Sequence, residues 1–146
     1  MIDVLKALFA PGPAPRDDVA PDVAVAALLV EAARVDGVYD PAERRAVEAL
    51  LASLFDLSPA EAQALRARGE AAQSEAPDIV RFTRVVKGAM DEDQRIALME
   101  ALWHVVLVDH DRDPHENALL RHLAPLLAVS DHDSANARQR VQARLG

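Results

Sequence analysis

Cysteine is absent from the 146-residue chain. Its absence excludes disulfides, thiolate zinc sites, iron–sulfur clusters and cysteine nucleophiles, and it permits a cytoplasmic location. Aromatic residues make up only 3% of the chain, and no apolar run free of charges approaches the length of a membrane span. The sequence therefore predicts a protein that does not itself span a membrane.

Positive charge is also scarce, because 24 acidic residues face 16 basic ones and the formal net charge is −8. An acidic surface repels the phosphate backbone of nucleic acids, and no local stripe of lysine and arginine overrides that repulsion. Nucleic acid is therefore not expected as a partner.

Apolar residues, by contrast, make up 51% of the chain, and alanine and leucine dominate them. These residues favour helices over strands, and the length fits one domain with a single core. Helical periodicity and breaker residues predict an all-α, single-domain bundle of about seven helices. The predicted helices are residues 22–35, 41–55, 59–68, 77–90, 96–108, 114–127 and 131–145.

The N-terminal part of the chain has a different character. Residues 1–9 place apolar side chains at helical spacing, which predicts a short amphipathic helix that must dock on something to persist. Four prolines interrupt residues 10–21, which are predicted to form an extended linker. The helical domain is therefore assigned to residues 22–146.

The chain repeats itself at a shift of 73 residues. The pattern D-x-x-x-D-P-x-E occurs as "DGVYDPAE" and again as "DHDRDPHE", and each copy follows a helix that is apolar on almost every face. Such helices belong in the middle of a bundle. The repeat predicts a duplicated helix-loop-helix unit with pseudo-two-fold symmetry.

The repeated acidic loops are candidate metal sites. Calcium, magnesium and manganese prefer several oxygen ligands, which closely spaced carboxylates around a turn can supply. The spacing does not fit an EF-hand, because Pro114 and Leu120 stand where that loop needs glycine and glutamate. The candidate ligands are Asp36, Asp40, Glu43, Asp109, Asp111, Asp113 and Glu116.

Helix capping is the alternative interpretation of the same residues. Asp40 with Glu43, and Asp113 with Glu116, have the spacing of capping boxes, and Ser58 with Glu61 shows that spacing without additional acids. Capping leaves unexplained the aspartates that precede the boxes. These are Asp36, Asp109 and Asp111.

Catalytic patterns are missing. The chain has no H-E-x-x-H, no di-iron Glu-x-x-His pair, no glycine-rich phosphate loop and no G-x-S-x-G elbow. His104 lies in an apolar helix and is interpreted as a hydrogen-bonded core histidine in preference to a metal ligand. No catalytic residue is assigned, and the protein is not expected to be an enzyme.

With this repeat and the stretches quoted below, the chain resembles the TerB-like, tellurite-resistance-associated family. That family is also similar to the N-terminal domain of DjlA-type membrane co-chaperones. The stretches "LLVEAARVDGVYDPAERRAVEALLASLFDLS", "FTRVVKGAMDEDQRIALMEALWHVVLVD" and "LLRHLAPLLAVS" carry the resemblance. The first loop is close to the family's Asp-Gly-x-aliphatic pattern, whereas the second has His110 in place of the glycine and Arg112 in place of the aliphatic residue.

The resemblance implies acidic metal-binding loops, a role in tellurite resistance and related stress responses, and membrane-associated protein partners. The resulting hypothesis is a cytoplasmic, non-enzymatic domain, peripheral to the inner face of the membrane, that binds a divalent cation and partner proteins. The competing hypothesis is a purely structural interaction module whose acidic loops are only helix caps. Both hypotheses leave the oligomeric state open.

Overall fold

The computed structural model describes residues 19–35, 37–76, 78–108 and 114–146, without the side chains of residues 114–116. These residues form helices and no strand, which confirms the predicted all-α fold. The helices are α1 (Pro21–Arg34), α2 (Pro41–Phe55), α3 (Pro59–Glu75), α4 (Ile79–Ala89), α5 (Glu92–Val108), α6 (Pro114–Leu126) and α7 (Asp131–Leu145).

The two most apolar helices, α1 and α5, lie at the centre of the bundle. Every residue of α1 from Ala24 to Val30 is fully buried, and α5 buries Leu98, Met99, Leu102 and Val105 completely. Helix α1 packs most extensively on α3 and also contacts α2, α4, α5 and α6, whereas α5 packs most extensively on α7. Because both helices are enclosed on several sides, no polar face is needed, and the predicted central position is confirmed.

Helix α3 approaches α1 very closely at Gly69. A Cβ atom added to Gly69 would lie 2.5 Å from Cβ of Ala26 and 2.8 Å from its carbonyl carbon. Such distances leave no room for even a methyl group. The small residues at this contact therefore fix how near the two helices lie.

Most helix starts are where the caps predict them. Ser58 Oγ accepts a hydrogen bond from the Glu61 amide, and Glu61 Oε1 accepts one from the Ser58 amide. Asp91 and Gln94 exchange the same pair of bonds. Helix α5 accordingly begins at Glu92, directly after the cap that the Asp91 and Gln94 spacing predicts, and continues through the apolar stretch 96–108.

Helix α3 is the largest departure from the prediction, because it continues to Glu75 and not to residue 68. The additional turns carry alanine, glutamate and glutamine, which tolerate a helix well. They also bring Glu70 and Gln73 into hydrogen bonds with the region around the end of α1. Contacts distant in sequence therefore extend this helix.

Helices α2 and α6 end in the same way. Asp56 and Ala128 both have left-handed backbones, with φ of 55° and 56°. The next residue in each case donates its amide back into the helix, from Leu57 to Ala52 O at 3.0 Å and from Val129 to Ala124 O at 2.8 Å. These bonds satisfy carbonyls that a helix end leaves unpaired. The two ends occupy matching places in the sequence repeat.

The predictions for residues 1–21 concern a part of the chain that the structure mostly does not describe. The N-terminal helix and nearly all of the linker fall on residues 1–18, outside the described part, while Val19 and Ala20 pack against the core. The assignment of residues 22–146 as one domain and the pseudo-two-fold symmetry stay predictions. Within the described ranges, no helix has the length and apolar character needed to cross a membrane.

Candidate functional site

The first acidic loop connects α1 to α2. Gly37 has φ of 85°, a left-handed conformation that glycine adopts readily after a helix, and its amide donates to Arg34 O at 2.9 Å. Asp36, the candidate ligand just before it, lies outside the described residues. The loop therefore turns sharply at Gly37 and delivers the chain to the start of α2.

Asp40 and Glu43 form a complete capping box at the start of α2. Asp40 Oδ1 accepts a hydrogen bond from the Glu43 amide at 2.8 Å, and Glu43 Oε1 accepts one from the Asp40 amide at 3.2 Å. Glu43 is buried, with only 2% of its surface exposed. The capping interpretation of these two residues is confirmed, while Asp40 Oδ2 takes no part in the box.

The second acidic loop precedes α6, which begins at Pro114 as predicted. Asp109, Asp111 and Asp113 lie outside the described residues, and so does the side chain of Glu116. Among the residues whose placement is described, no three histidines, aspartates or glutamates come together in a way that could hold a metal ion. The seven-residue ligand set therefore stays a prediction.

A hydrogen-bonded network holds the first loop against α2 and α3. The Tyr39 hydroxyl donates to Glu70 Oε2 at 2.6 Å, and Arg66 Nη1 donates to the same oxygen at 2.7 Å. Arg66 Nε also lies 3.3 Å from Glu48 Oε2 on α2. Because one carboxylate oxygen serves both the loop and α3, the loop is anchored at Tyr39.

This network shifts the acidity of its members. Burial raises the pKa of Tyr39, and the hydrogen bond to Glu70 and its negative charge raise it further, while Arg66 opposes them. Burial alone would raise the pKa of Glu70, but the hydrogen bonds from Tyr39 and Arg66, with the nearby arginine charges, lower it overall. The folded protein therefore favours a neutral phenol beside an ionised carboxylate.

A second set of contacts surrounds the end of α1. Arg34 Nη1 donates to Ser74 Oγ at 2.8 Å and to Gln73 Oε1, and Gln73 Nε2 donates to Glu31 Oε2 at 2.6 Å. The guanidinium of Arg34 also lies 5.0 Å from the centre of the Tyr39 ring. The last turns of α3 therefore brace the loop from its other side.

The residues that support the first loop carry little signal in the sequence. The Arg66 and Glu70 pair has the i,i+4 spacing that stabilises a helix, and this spacing was the only local signal. Nothing in the spacing of Tyr39 or Arg34 indicates which helix either residue meets. The tertiary packing of α3 on α1 brings them together.

His104 is not the hydrogen-bonded core residue that the sequence suggested. It is half-buried in a groove between α2, α5 and α7, with Leu50, Leu54, Glu100 and Arg144 among the lining residues. Burial lowers the pKa of His104, and the positive charge of Arg144 lowers it further. The core interpretation is wrong because this face of α5 is only partly covered.

Comparison with known proteins gives one match. A family model described as "Tellurite resistance protein TerB" matches residues 22–139, which is most of the chain. No curated protein and no solved structure matches the chain. The matched range runs from the start of α1 into α7 and includes both acidic loops.

Proposed function

The chain belongs to the TerB family of tellurite-resistance-associated domains, and from that premise we propose a non-enzymatic domain that binds a divalent cation through its paired acidic loops. The cation is calcium, magnesium or manganese, which share a preference for oxygen ligands. The same proposal places the domain in the cytoplasm, at the inner face of the membrane, where it binds protein partners in tellurite resistance and related stress responses.

The observation that carries the proposal is the repeated acidic pattern, which contains more acids in each copy than the spacing of a capping box requires. Asp40 and Glu43 are accounted for by the capping box. Asp36, Asp109 and Asp111 have no role in capping by their positions in the sequence. The anchoring of the first loop by Tyr39 supports the proposal, since a preorganised loop loses less conformational entropy when it binds an ion.

The proposed mechanism is electrostatic. Clustered carboxylates repel one another, and a cation between them removes the repulsion and orders the loops. Since the cation binds the folded state, it stabilises that state by mass action, by about 2.7 kcal/mol at a concentration one hundred times its dissociation constant. Cation binding therefore orders the loops, and a protein partner can recognise the ordered loops.

The test is the melting temperature of the full chain after metal removal and again with excess calcium, magnesium or manganese. For a domain of this size we expect a rise of about 5–10 °C with the preferred cation. Asp109→Asn and Asp36→Asn should each reduce the rise. The matched control is Glu92→Gln, which removes one exposed carboxylate at the start of α5, the end opposite to the second acidic loop, and should leave the rise intact.

The variant Asp40→Ser distinguishes the contribution of Asp40 to capping from its contribution to ion binding. Asp40→Ser keeps a good capping oxygen but removes the carboxylate, so the metal-free protein should keep its stability while the metal response falls. Asp40→Ala removes both and should cost about 1 kcal/mol even without metal. If no cation changes the melting temperature of the parent protein, the metal proposal is wrong.

The second candidate function is a structural interaction module, and the complete capping box favours it. The Ser58 and Glu61 box caps α3 with the same geometry and no additional acids. In this alternative, partner binding depends on residues 1–18 and no cation is needed. Val19 and Ala20 pack against the core, so the deletion that tests it should stop at residue 18.

The deletion and the cation titration distinguish the two candidates. Loss of co-sedimentation with membrane fractions on deletion, with no response to cations, supports the interaction module. Retained co-sedimentation that requires a divalent cation supports the metal-dependent domain.

A further inference from the structure

A cleft of about 640 Å³ lies between α5, α6 and α7. Its polar lining is unusually rich in hydrogen-bond donors. It contains the Trp103, Asn117, Arg121, Asp131, Ser134 and Arg138 side chains. A cleft of this volume is in the range that holds a small organic ligand.

Arg138 lines this cleft, and one of its nitrogen atoms has no hydrogen-bond partner. Its guanidinium lies over Trp103, 5.1 Å from the ring centre, and the indole N–H beneath it donates to Ser134 Oγ at 3.1 Å. The buried Nε atom of Arg138 has no hydrogen-bond partner, as is also the case for Nε of Arg66 and Arg95. Among the described residues, no carboxylate lies within ion-pair distance of Arg138 or Arg121.

The first half of the chain has an arginine at the matching position of the repeat, and that arginine has carboxylate partners. Arg66 on α3 occupies the position that matches Arg138 on α7, and it is paired with Glu48 and Glu70. The sequence repeat puts Arg121 opposite Glu48 and Gln142 opposite Glu70.

The second half has therefore replaced one carboxylate with an arginine and the other with a neutral amide. Among the described residues, Arg138 has no carboxylate partner and shares the cleft with Arg121, an arrangement that is unfavourable unless something negative joins it. Asp131 at the first position of α7 supplies only one negative charge among the lining residues.

We propose that this cleft binds a phosphate group, free or carried on a small organic molecule. Arg121 and Arg138 supply planar donors that match the oxygens of a phosphate, and the Asn117 amide adds a neutral donor. With Asp131 included, the lining carries one net positive charge, which a monoanionic phosphate balances. The cleft is larger than inorganic phosphate, so an organic portion has room to follow.

The single tryptophan makes the binding directly measurable. The full chain is first passed over a chelating resin, so that neither a bound cation nor a soluble chelator competes. Inorganic phosphate and glycerol 3-phosphate are then titrated at constant ionic strength, with Trp103 emission and calorimetry as readouts. We expect saturable binding, with the ester binding more tightly if the organic portion is recognised and equally if phosphate alone is.

Three variants locate the binding. Arg121→Gln and Arg138→Gln should each weaken it at least tenfold by calorimetry. Arg121→Glu copies the first half of the chain and should abolish binding while raising the melting temperature, because Arg138 gains a counter-charge. Arg68→Gln is the matched control, since it removes one exposed arginine on α3 and should leave binding unchanged.

Two results would overturn the proposal. One is no saturable binding of either probe at millimolar concentration by both readouts. The other is equal weakening by Arg68→Gln and the cleft variants, which would show diffuse attraction to positive charge. Because the titrations contain no divalent cation, neither result depends on whether the acidic loops bind a metal ion.

Discussion

The hydroxyl of Tyr39 donates a hydrogen bond to Glu70 Oε2 at 2.6 Å, and this contact joins the first acidic loop to α3. Arg66 donates to the same carboxylate oxygen from one turn earlier in α3. The loop is therefore attached to the bundle through a shared acceptor. Its position depends on α3, which follows it in the chain.

Removing the hydroxyl should loosen this attachment. Tyr39→Phe keeps the ring beneath Arg34 but deletes the donor, so we expect the free energy of unfolding to fall by about 1 kcal/mol. Urea unfolding followed by circular dichroism measures the change. An unchanged unfolding midpoint would show that the contact contributes nothing to stability.

The phenol itself should resist ionisation. Burial is the main reason that the pKa of Tyr39 is raised above its ordinary value of about 10, with Glu70 adding to the effect. Since the folded state keeps the proton, the free energy of unfolding should fall as the pH rises above about 10. The chain has one tyrosine, so its ultraviolet absorbance reports this titration alone.

Glu70→Gln provides the comparison for that titration. The amide oxygen still accepts the hydrogen bond, but the negative charge beside the phenol is gone. The absorbance midpoint should therefore move to lower pH than in the parent protein. A midpoint that stays in place would mean that burial alone raises the pKa.

The contact between α1 and α3 should not tolerate a methyl group at position 69. Alanine normally stabilises a helix relative to glycine by about 0.5–1 kcal/mol. At Gly69, however, the new Cβ would lie 2.5 Å from Ala26 Cβ, and overpacking of this kind costs about 1–3 kcal/mol. Gly69→Ala should therefore lower the free energy of unfolding.

Gly88→Ala is the matched control for this substitution. A Cβ at Gly88 meets nothing within 4 Å, so only the helix preference of alanine acts. The free energy of unfolding should rise by up to about 1 kcal/mol. If both variants change stability in the same direction, the close approach of α1 and α3 is not limiting.

His104 should make the protein less stable in mild acid. Burial and the charge of Arg144 lower the pKa of His104 below its ordinary value of about 6.5, so the unfolded chain binds the proton more readily. The free energy of unfolding should fall as the pH falls through about 6.5 and level off below the folded-state pKa.

Substitution of the histidine isolates this contribution. His104→Gln should flatten the pH dependence of urea unfolding in that window, while His122→Gln, at an exposed position of α6, should not. Identical curves for the parent protein and His104→Gln would assign the pH dependence to other groups.

Much of the fold could be predicted because its signals are local. The Asp40 and Glu43 box and the proline at position 41 act within a few residues of one another, and both were visible in the sequence. The end of α3 could not be predicted, because the bonds of Glu70 and Gln73 reach residues far away in the chain.

The candidate sites divide in the same way. The repeated acidic pattern is a local signal and identified candidate ligands, which remain a prediction. The cleft beside Trp103 gave a weaker signal, since the replacement of Glu48 by Arg121 across the repeat acquires meaning only when α6 and α7 lie side by side. The change from Glu48 to Arg121 points to a binding site only when the position of Arg138 in the same cleft is known.

The amino-acid sequence by itself determined the helical class, most helix starts and the central placement of α1 and α5, because capping and hydrophobic periodicity act over one or two turns. Only the tertiary structure decided that Tyr39 meets Glu70, that Gly69 touches Ala26, and that Arg66 pairs with carboxylates whereas Arg138 has none among the described residues. Hydrogen bonds and ion pairs act over a few ångströms, so partners distant in sequence are defined when the helices pack.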